Sequence, residues 1–485
     1  MKSFSDVCYE LIMLSEKLLR PENKHLISEF LVKISDVRKL YSGVDSEKVL
    51  LQKLQPRLVV PLLIHVKEAN SSDSKCEIIQ TLTSVLSLTT INDISNFFDV
   101  YTLMFLQIYK PEGEGVNQNF SEEIKSAVLK CGTALLKSLK IDVFNQLYTQ
   151  ESSAKMSIGV LLAIQIAANE KSHSLRLDAL EFLLTITQYN NLKHDSELWK
   201  KIGDVFMLYL PGLIGPLQEI ILRDETQPHM ITVKALACWG HVLTLVMCDE
   251  DIAENKTDEE LIQFWMNLSK EVNTGQKRTF DMTKALQQKK RNKDWLEAAA
   301  ITIKPLIFKI ADARKHSNSK VRLELTKVMN TLLSNCIVNL KLALTPMIEV
   351  LVSSMEDENE EVKSFAELAV LNFEKRCSEK QGKIFIDVIE ENLQILINKM
   401  PGLIHSGDEK VILSALNIFS GYLKILCKND RFVSFISLSS NLRRLVTVIK
   451  MCFELETYPE ISQKEFSLWG KLILRVGADV VIKLT

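Results

Sequence analysis

Residues 303–333 and 344–373 carry one pattern twice, offset by 41 residues. In the later copy, LTPMIEVLVSSMEDENEEVKSFAELAVLNF, Pro346 is followed by Met347, Ile348, Leu351 and Val352 at helical spacing. A polar turn comes at Glu356–Glu360. A second stripe then carries Val362, Phe365, Ala366, Leu368, Ala369 and Leu371. In the earlier copy Pro305 precedes Val321-Arg322 by 16 residues, as Pro346 precedes Val362-Lys363. A two-helix unit of this size cannot cover its own apolar face and must stack on copies of itself. A step of about 40–47 residues is that of the HEAT repeat. The pattern therefore predicts an all-α chain, a HEAT-repeat α-solenoid of stacked antiparallel helix pairs.

Each repeat-defining position has a physical reason. Pro305 and Pro346, inside first helices, remove a backbone donor and bend the helix around its neighbour. Val321 and Val362 open the second helices and are expected in the core. Asp357, five residues before Val362, is placed to accept from free N–H groups at the start of that helix and suits its positive end. Arg322 and Lys363 can reach an acidic residue of the adjacent repeat. Looser copies of the apolar-basic pair occur at Ile124-Lys125, Leu175-Arg176 and Val233-Lys234, and Pro61, Pro211 and Pro401 sit in first-helix contexts. Length and repeat size together leave room for about eight to eleven helix pairs.

Composition agrees with helices. Gly is 16 and Pro 11 of 485 residues, too few for the many tight turns of a sandwich or barrel. The formal charge of −2 gives no global basic field for nucleic acid or an anionic membrane. Uncharged stretches such as 78–92 and 235–248 fall short of the roughly 18 residues of a membrane span. The nine cysteines are scattered, without C-x-x-C, which suits a reducing compartment. The location expected is cytoplasmic, with nuclear residence also compatible.

No phosphate-cradling loop, dinucleotide fingerprint, nucleophile elbow or H-E-x-x-H occurs, so neither an enzyme nor a cofactor is expected. Cys238, His241 and Cys248 approach metal-ligand spacing but lack a fourth ligand. The run Asp357–Glu361 resembles a calcium loop, yet the position that loop reserves for Gly is Val362.

One segment interrupts the array. Asp249–Glu260 has net charge −6, the short amphipathic stretch LIQFWMNLSKEV follows, and 276–293 has net charge +6. The division expected is 1–248 for the N-terminal repeats, 249–293 for a charged, partly disordered insertion and 294–485 for further repeats. The basic cluster Lys289, Lys290, Arg291, Lys293 is read as a solvated loop, with a nuclear localisation patch and a docking site for an acidic partner as alternatives. Trp295, in the first turn of the resuming array, is read as core packing, with a partner contact as the alternative.

The ordered set of segments resembles the Tel-two-interacting protein one family, the HEAT scaffold of the TTT co-chaperone complex. The segments are Ser121–Lys125 heading a helix, Leu210-Pro211-Gly212 entering another, Asp294-Trp295, the hexapeptide Lys320–Leu325 lying 26 residues beyond Asp294, and Gly421–Lys424. Members often carry Trp just before the hexapeptide, where Ser319 stands here. The resemblance implies a non-enzymatic adaptor. It would work with Tel-two and Tel-two-interacting protein two to mature PIKK kinases (the mTOR, ATM and ATR group) with the ninety-kilodalton heat-shock chaperone and the R-two-TP co-chaperone. The alternative is an importin-type transport receptor. Members are longer, and the chain stops in apolar sequence without a polar cap, so the array is expected to continue beyond it.

Overall fold

The computed structural model describes residues 3–69, 71–110, 115–117, 119–187, 196–224, 226–249, 291–381, 384–405, 409–426, 443–444, 446–448 and 450–451. Two compact units divide the chain. The first comprises Met1–Arg223 and Met230–Val246, the second Asp224–His229 and Met247–Thr485. The expected insertion lies outside the described residues except at its ends, and so do Lys289 and Lys290.

In the first unit the helices are α1 (Phe4–Leu18), α2 (Ile27–Leu40), α3 (Asp45–Glu68), α4 (Ser72–Leu88), α5 (Ile94–Leu106), α6 (Glu122–Lys137), the short α7 (Ile141–Leu147), α8 (Gln150–Asn169), α9 (His173–Ile186), α10 (Ser196–Ile221) and α11 (His229–Met247). First helices pack on second helices within pairs α1/α2, α3/α4, α5/α6 and α8/α9. Second helices then run on in one row, α2 on α4, α4 on α6 and α6 on α9, while α1 lies on α3 and α8 on both α5 and α10. Such pairwise stacking is an α-solenoid. Neighbouring turns are tied by backbone: Ile91 donates its N–H to Ser138 O and accepts from Lys140 N–H. A two-residue antiparallel hairpin, Tyr109–Lys110 with Gly115–Val116, decorates the α5–α6 connection.

Aromatic rings fill the middle of this unit. Tyr101 meets the rings of Phe97, Phe105 and Phe182, Phe105 also meets Phe182, and Tyr101 donates its hydroxyl to Met156 O at 2.9 Å. Gly132 and Gly159 leave the room these rings occupy. A Cβ at Gly159 would lie 2.1 Å from the Tyr101 hydroxyl.

The second unit holds α12 (Lys293–Ala311), α13 (Ser319–Asn335), α14 (Leu344–Ser354), α15 (Glu360–Gln381), α16 (Ile384–His405) and α17 (Glu409–Leu426). The same logic recurs: α13 packs on α15, α12 on α14, and α14 meets α13, α15 and α17. The two prolines of the 41-residue repeat differ in place. Pro305 is the thirteenth residue of α12, well inside it. Pro346 is the third residue of α14, where its missing N–H would have had no helical partner anyway. It starts a helix rather than bending one. Leu210-Pro211-Gly212 likewise lies in the interior of α10 instead of entering a helix.

Three helices, 45–68, 197–221 and 229–247, are long and apolar enough by length and composition to cross a membrane, contrary to the expectation from strictly uncharged stretches. An 18-residue window tolerates one or two charges, which that expectation did not. In the most apolar of them, 229–247, 83% of the window is buried inside the protein.

Candidate functional site

The features that distinguish this surface are charged side chains that cross from one repeat to the next. Val321 is fully buried at the start of α13, and this turns Arg322 along the repeat axis toward the following turn. Its guanidinium makes five hydrogen bonds, one for each N–H it owns. Nε and Nη2 clamp the two Asp357 oxygens at 2.7 and 2.8 Å, and Nη2 also reaches Glu358 at 3.1 Å. Nη1 donates to His316 O and Ser317 O at 2.9 and 3.0 Å. The Arg322 and Asp357 side chains are each only 9% exposed, so the pair is an internal bolt between repeats. The Asp357 hydrogen bond raises the guanidinium pKa further still. Beneath it Thr326 Oγ1 meets Ser354 Oγ at 3.0 Å, both buried.

Asp357 therefore holds Arg322 and does not cap α15. Capping falls to Asn359, whose Oδ1 accepts from the N–H groups of Glu361 and Val362, while Asp357 accepts from Asn359 N–H. An amide oxygen one position before the helix lies within reach of its free N–H groups, and a carboxylate of the same length two residues further back does not. Val362 is fully buried. Lys363 turns to Glu360 of its own helix at 3.8 Å instead of to the adjacent repeat. In α17, Lys424 performs the crossing, reaching Glu367 of α15 at 2.6 Å and Glu356 at 3.8 Å.

The first unit builds equivalent links from its looser copies. Lys125, buried in α6, pairs at 2.6 Å with Glu170, which lies just before α9. This repeats the relation of Arg322 to Asp357. Arg176 of α9 donates to Ala167 O at the end of α8, and burial lowers its pKa. Two α9 carboxylates then bind both flanking second helices. Asp178 takes Ser126 Oγ at 2.6 Å and Lys130 at 3.3 Å, and Glu181 takes Lys137 at 3.6 Å and Lys234 of α11 at 2.7 Å. Lys234 holds the Glu181 carboxyl below its ordinary range.

The remaining candidates fall as follows. Trp295 is 3% exposed and belongs to the core of α12, which removes it from any docking surface; its N–H is capped by Asn292. Arg291 is half-buried next to α12. Cys238 and His241 face carbonyls of α9 and its C-terminal cap, Leu180 O and Thr187 O, at 3.4 and 3.1 Å. Burial pushes the Cys238 thiol up and the His241 imidazole down to about 4. Among the described residues, no group of three or more His, Cys, Asp or Glu side chains is placed to hold a metal. What these links do is hold the helices of each unit in a charge-bolted array.

Two family models match the chain: the TTI1 N-terminal TPR domain over residues 7–358, and the TELO2-interacting protein 1 homologue second TPR domain over residues 389–459. Both descriptions name the tetratricopeptide repeat, whose unit is about 34 residues. Here the second-helix valines Val321 and Val362 are 41 residues apart. The chain is 26% identical over 415 residues to a human TELO2-interacting protein 1 homolog, covering 84% of this chain and 36% of the relative. The mouse homolog is 24% identical over 438 residues, covering 89% and 38%. The chain thus spans little more than a third of the length of the curated relatives it matches. Among solved structures, the karyopherin Kap121p bound to the extreme C-terminus of the protein phosphatase Cdc14p aligns at 13% identity over 99% of this chain and 52% of that one, with a TM-score of 0.30. Importin beta aligns at 10% identity over 96% and 72%, with a TM-score of 0.27. Likenesses this low carry no argument, for transport or otherwise.

Proposed function

Because the chain belongs to the family of TELO2-interacting protein 1 (TTI1), we propose that it is a scaffold of the TTT type, engaging a TELO2-like partner and a Tel-two-interacting protein two to support the maturation of PIKK kinases with the heat-shock chaperone machinery. The observation that carries this reading is the family match over residues 7–358 on a stack of helix pairs bolted by charges. Scaffolds of this kind gain affinity by summing many modest contacts along a surface whose geometry is fixed beforehand. The buried Arg322–Asp357 and Lys125–Glu170 pairs supply that fixed geometry. The cytoplasm, where new kinase chains emerge, is the compartment this role requires, and nuclear residence is compatible with it.

Rapid depletion of the endogenous protein tests the proposal. Levels of the mTOR, ATM and ATR group kinases should fall over their lifetimes while their transcripts stay constant. Kinase levels that hold steady after depletion overturn it.

A further inference from the structure

The outer face of α12 carries a surface that repeat stacking does not use. Its inner face, with Ala298, Ala299, Ile303, Ile307 and Ile310, packs into the second unit. On the opposite side Ile301 and Phe308, two turns apart, are 47% and 45% exposed, and Pro305 is exposed between them. A surface helix ordinarily turns polar residues to water, so apolar groups on both faces mark a helix that is covered on one side and open on the other. Pro305 has no N–H, so the Ile301 carbonyl lacks its usual helical donor at the same place.

The charges beside this stripe select its occupant. Lys304 and Lys309 flank it, both exposed, and among the described residues neither meets a carboxylate. Elsewhere Lys33, Lys125, Lys234 and Lys424 each sit within 2.7 Å of a glutamate oxygen. We propose that this face docks an acidic amphipathic helix of a partner protein. Apolar side chains at i, i+3/i+4 and i+7 of that helix lie over Ile301, Pro305 and Phe308, and its Asp or Glu residues reach Lys304 and Lys309. Helix-on-groove recognition uses this spacing of anchors, and two unmatched ammonium groups favour carboxylates and repel a basic helix. A membrane is the poorer fit, because a helix lying in a bilayer surface buries a whole apolar face rather than a stripe two side chains long. The inference stands on α12 alone and does not depend on the kinase role.

The test uses the intact chain and two fluorescein-labelled helix-forming peptides of about 16 residues. One has Leu and Phe on one face and Glu on the other; its counterpart has Lys for Glu. Fluorescence anisotropy at low salt should show the acidic peptide binding at least tenfold more tightly. Ile301→Glu and Phe308→Glu should each weaken it about tenfold or more, with the melting temperature unchanged as expected of exposed positions. If either glutamate variant loses stability, Ile301→Ala and Phe308→Ala report the same loss. Lys304→Glu combined with Lys309→Glu should invert the preference between the peptides. Equal binding of both peptides, or binding indifferent to these substitutions, overturns the proposal. So does capture by phosphatidylserine vesicles through Ile301 and Phe308 when neither peptide binds.

Discussion

Removing the Arg322 guanidinium should open the second unit at the joint between α13 and α15. Arg322→Ala deletes five hydrogen bonds, of 2.7 to 3.1 Å. It leaves the Asp357 carboxylate, 9% exposed, with the Asn359 N–H as its remaining described donor. Breaking a buried pair by removing one member costs about 3–5 kcal/mol, most of it the penalty of the abandoned charge. The Glu358 contact adds little, because that side chain is 83% exposed and its charge is screened by water. A loss of about 4 kcal/mol is therefore expected for Arg322→Ala. About half of that is expected for Arg322→Lys, which keeps the charge but cannot clamp both oxygens. A double-mutant cycle with Asp357→Asn should give a coupling of about 2–3 kcal/mol. With two compact units in the chain, global unfolding is not a two-state event. Hydrogen exchange read peptide by peptide is the suitable assay, since opening energies at 319–335 and 355–373 can be compared with those of α6 and α9. A loss under about 1 kcal/mol for Arg322→Ala, or a coupling near zero, would refute the internal-bolt reading.

Three further outcomes follow from packing and burial. Gly421→Ala should destabilise the α14–α17 contact by about 1–3 kcal/mol or more, because its Cβ would sit 2.3 Å from the Val352 carbonyl oxygen; a variant of unchanged melting temperature would show that the helices do not approach so closely. Val321→Asp should cost several kcal/mol by placing an unpaired charge at a fully buried site, and a normal melt would show the repeat register to be wrong. His241 is a base whose folded pKa is lowered from 6.5 to about 4, so the stability it contributes is complete above pH 6.5 and is lost as pH falls toward 4. Denaturation midpoints of the native chain should drop across that window relative to His241→Gln, and parallel pH profiles would contradict the assignment.

The helical-repeat fold was legible because buried valines and polar turns obey local rules. Val321 and Val362 announce second helices whatever surrounds them. The regularity was harder to read, since Ile124 and Leu175 are 51 residues apart and Leu175 and Val233 are 58, against 41 for the one clear pair of units. Loops of variable length hide a periodicity that the stacked helices retain. Local chemistry also misled where two residues compete for one task. Asp357 and Asn359 both suit a helix start, and only the position of Arg322 in space assigns the first to the bolt and the second to the cap. Lys363 and Lys424 pose the same problem: each is a lysine on a second helix, and which one crosses depends on where Glu356 and Glu367 lie. The segment Gly421–Lys424, distinctive in sequence, gains its reasons from packing. Gly421 permits close approach to α14, Tyr422 is fully buried, and Lys424 bridges to α15. The open face of α12 had a signal in IKPLIFK, where basic and apolar residues alternate around a helix, but exposure is a property of neighbours that sequence does not name.

A TTI1-family scaffold of this kind works through protein contacts. The most direct test of that role is affinity purification of the endogenously tagged protein, quantified by mass spectrometry against an untagged control. Stoichiometric recovery of a TELO2-like protein and a Tel-two-interacting protein two is expected, with PIKK kinases at lower yield. A soluble, folded bait that recovers none of them would contradict that role.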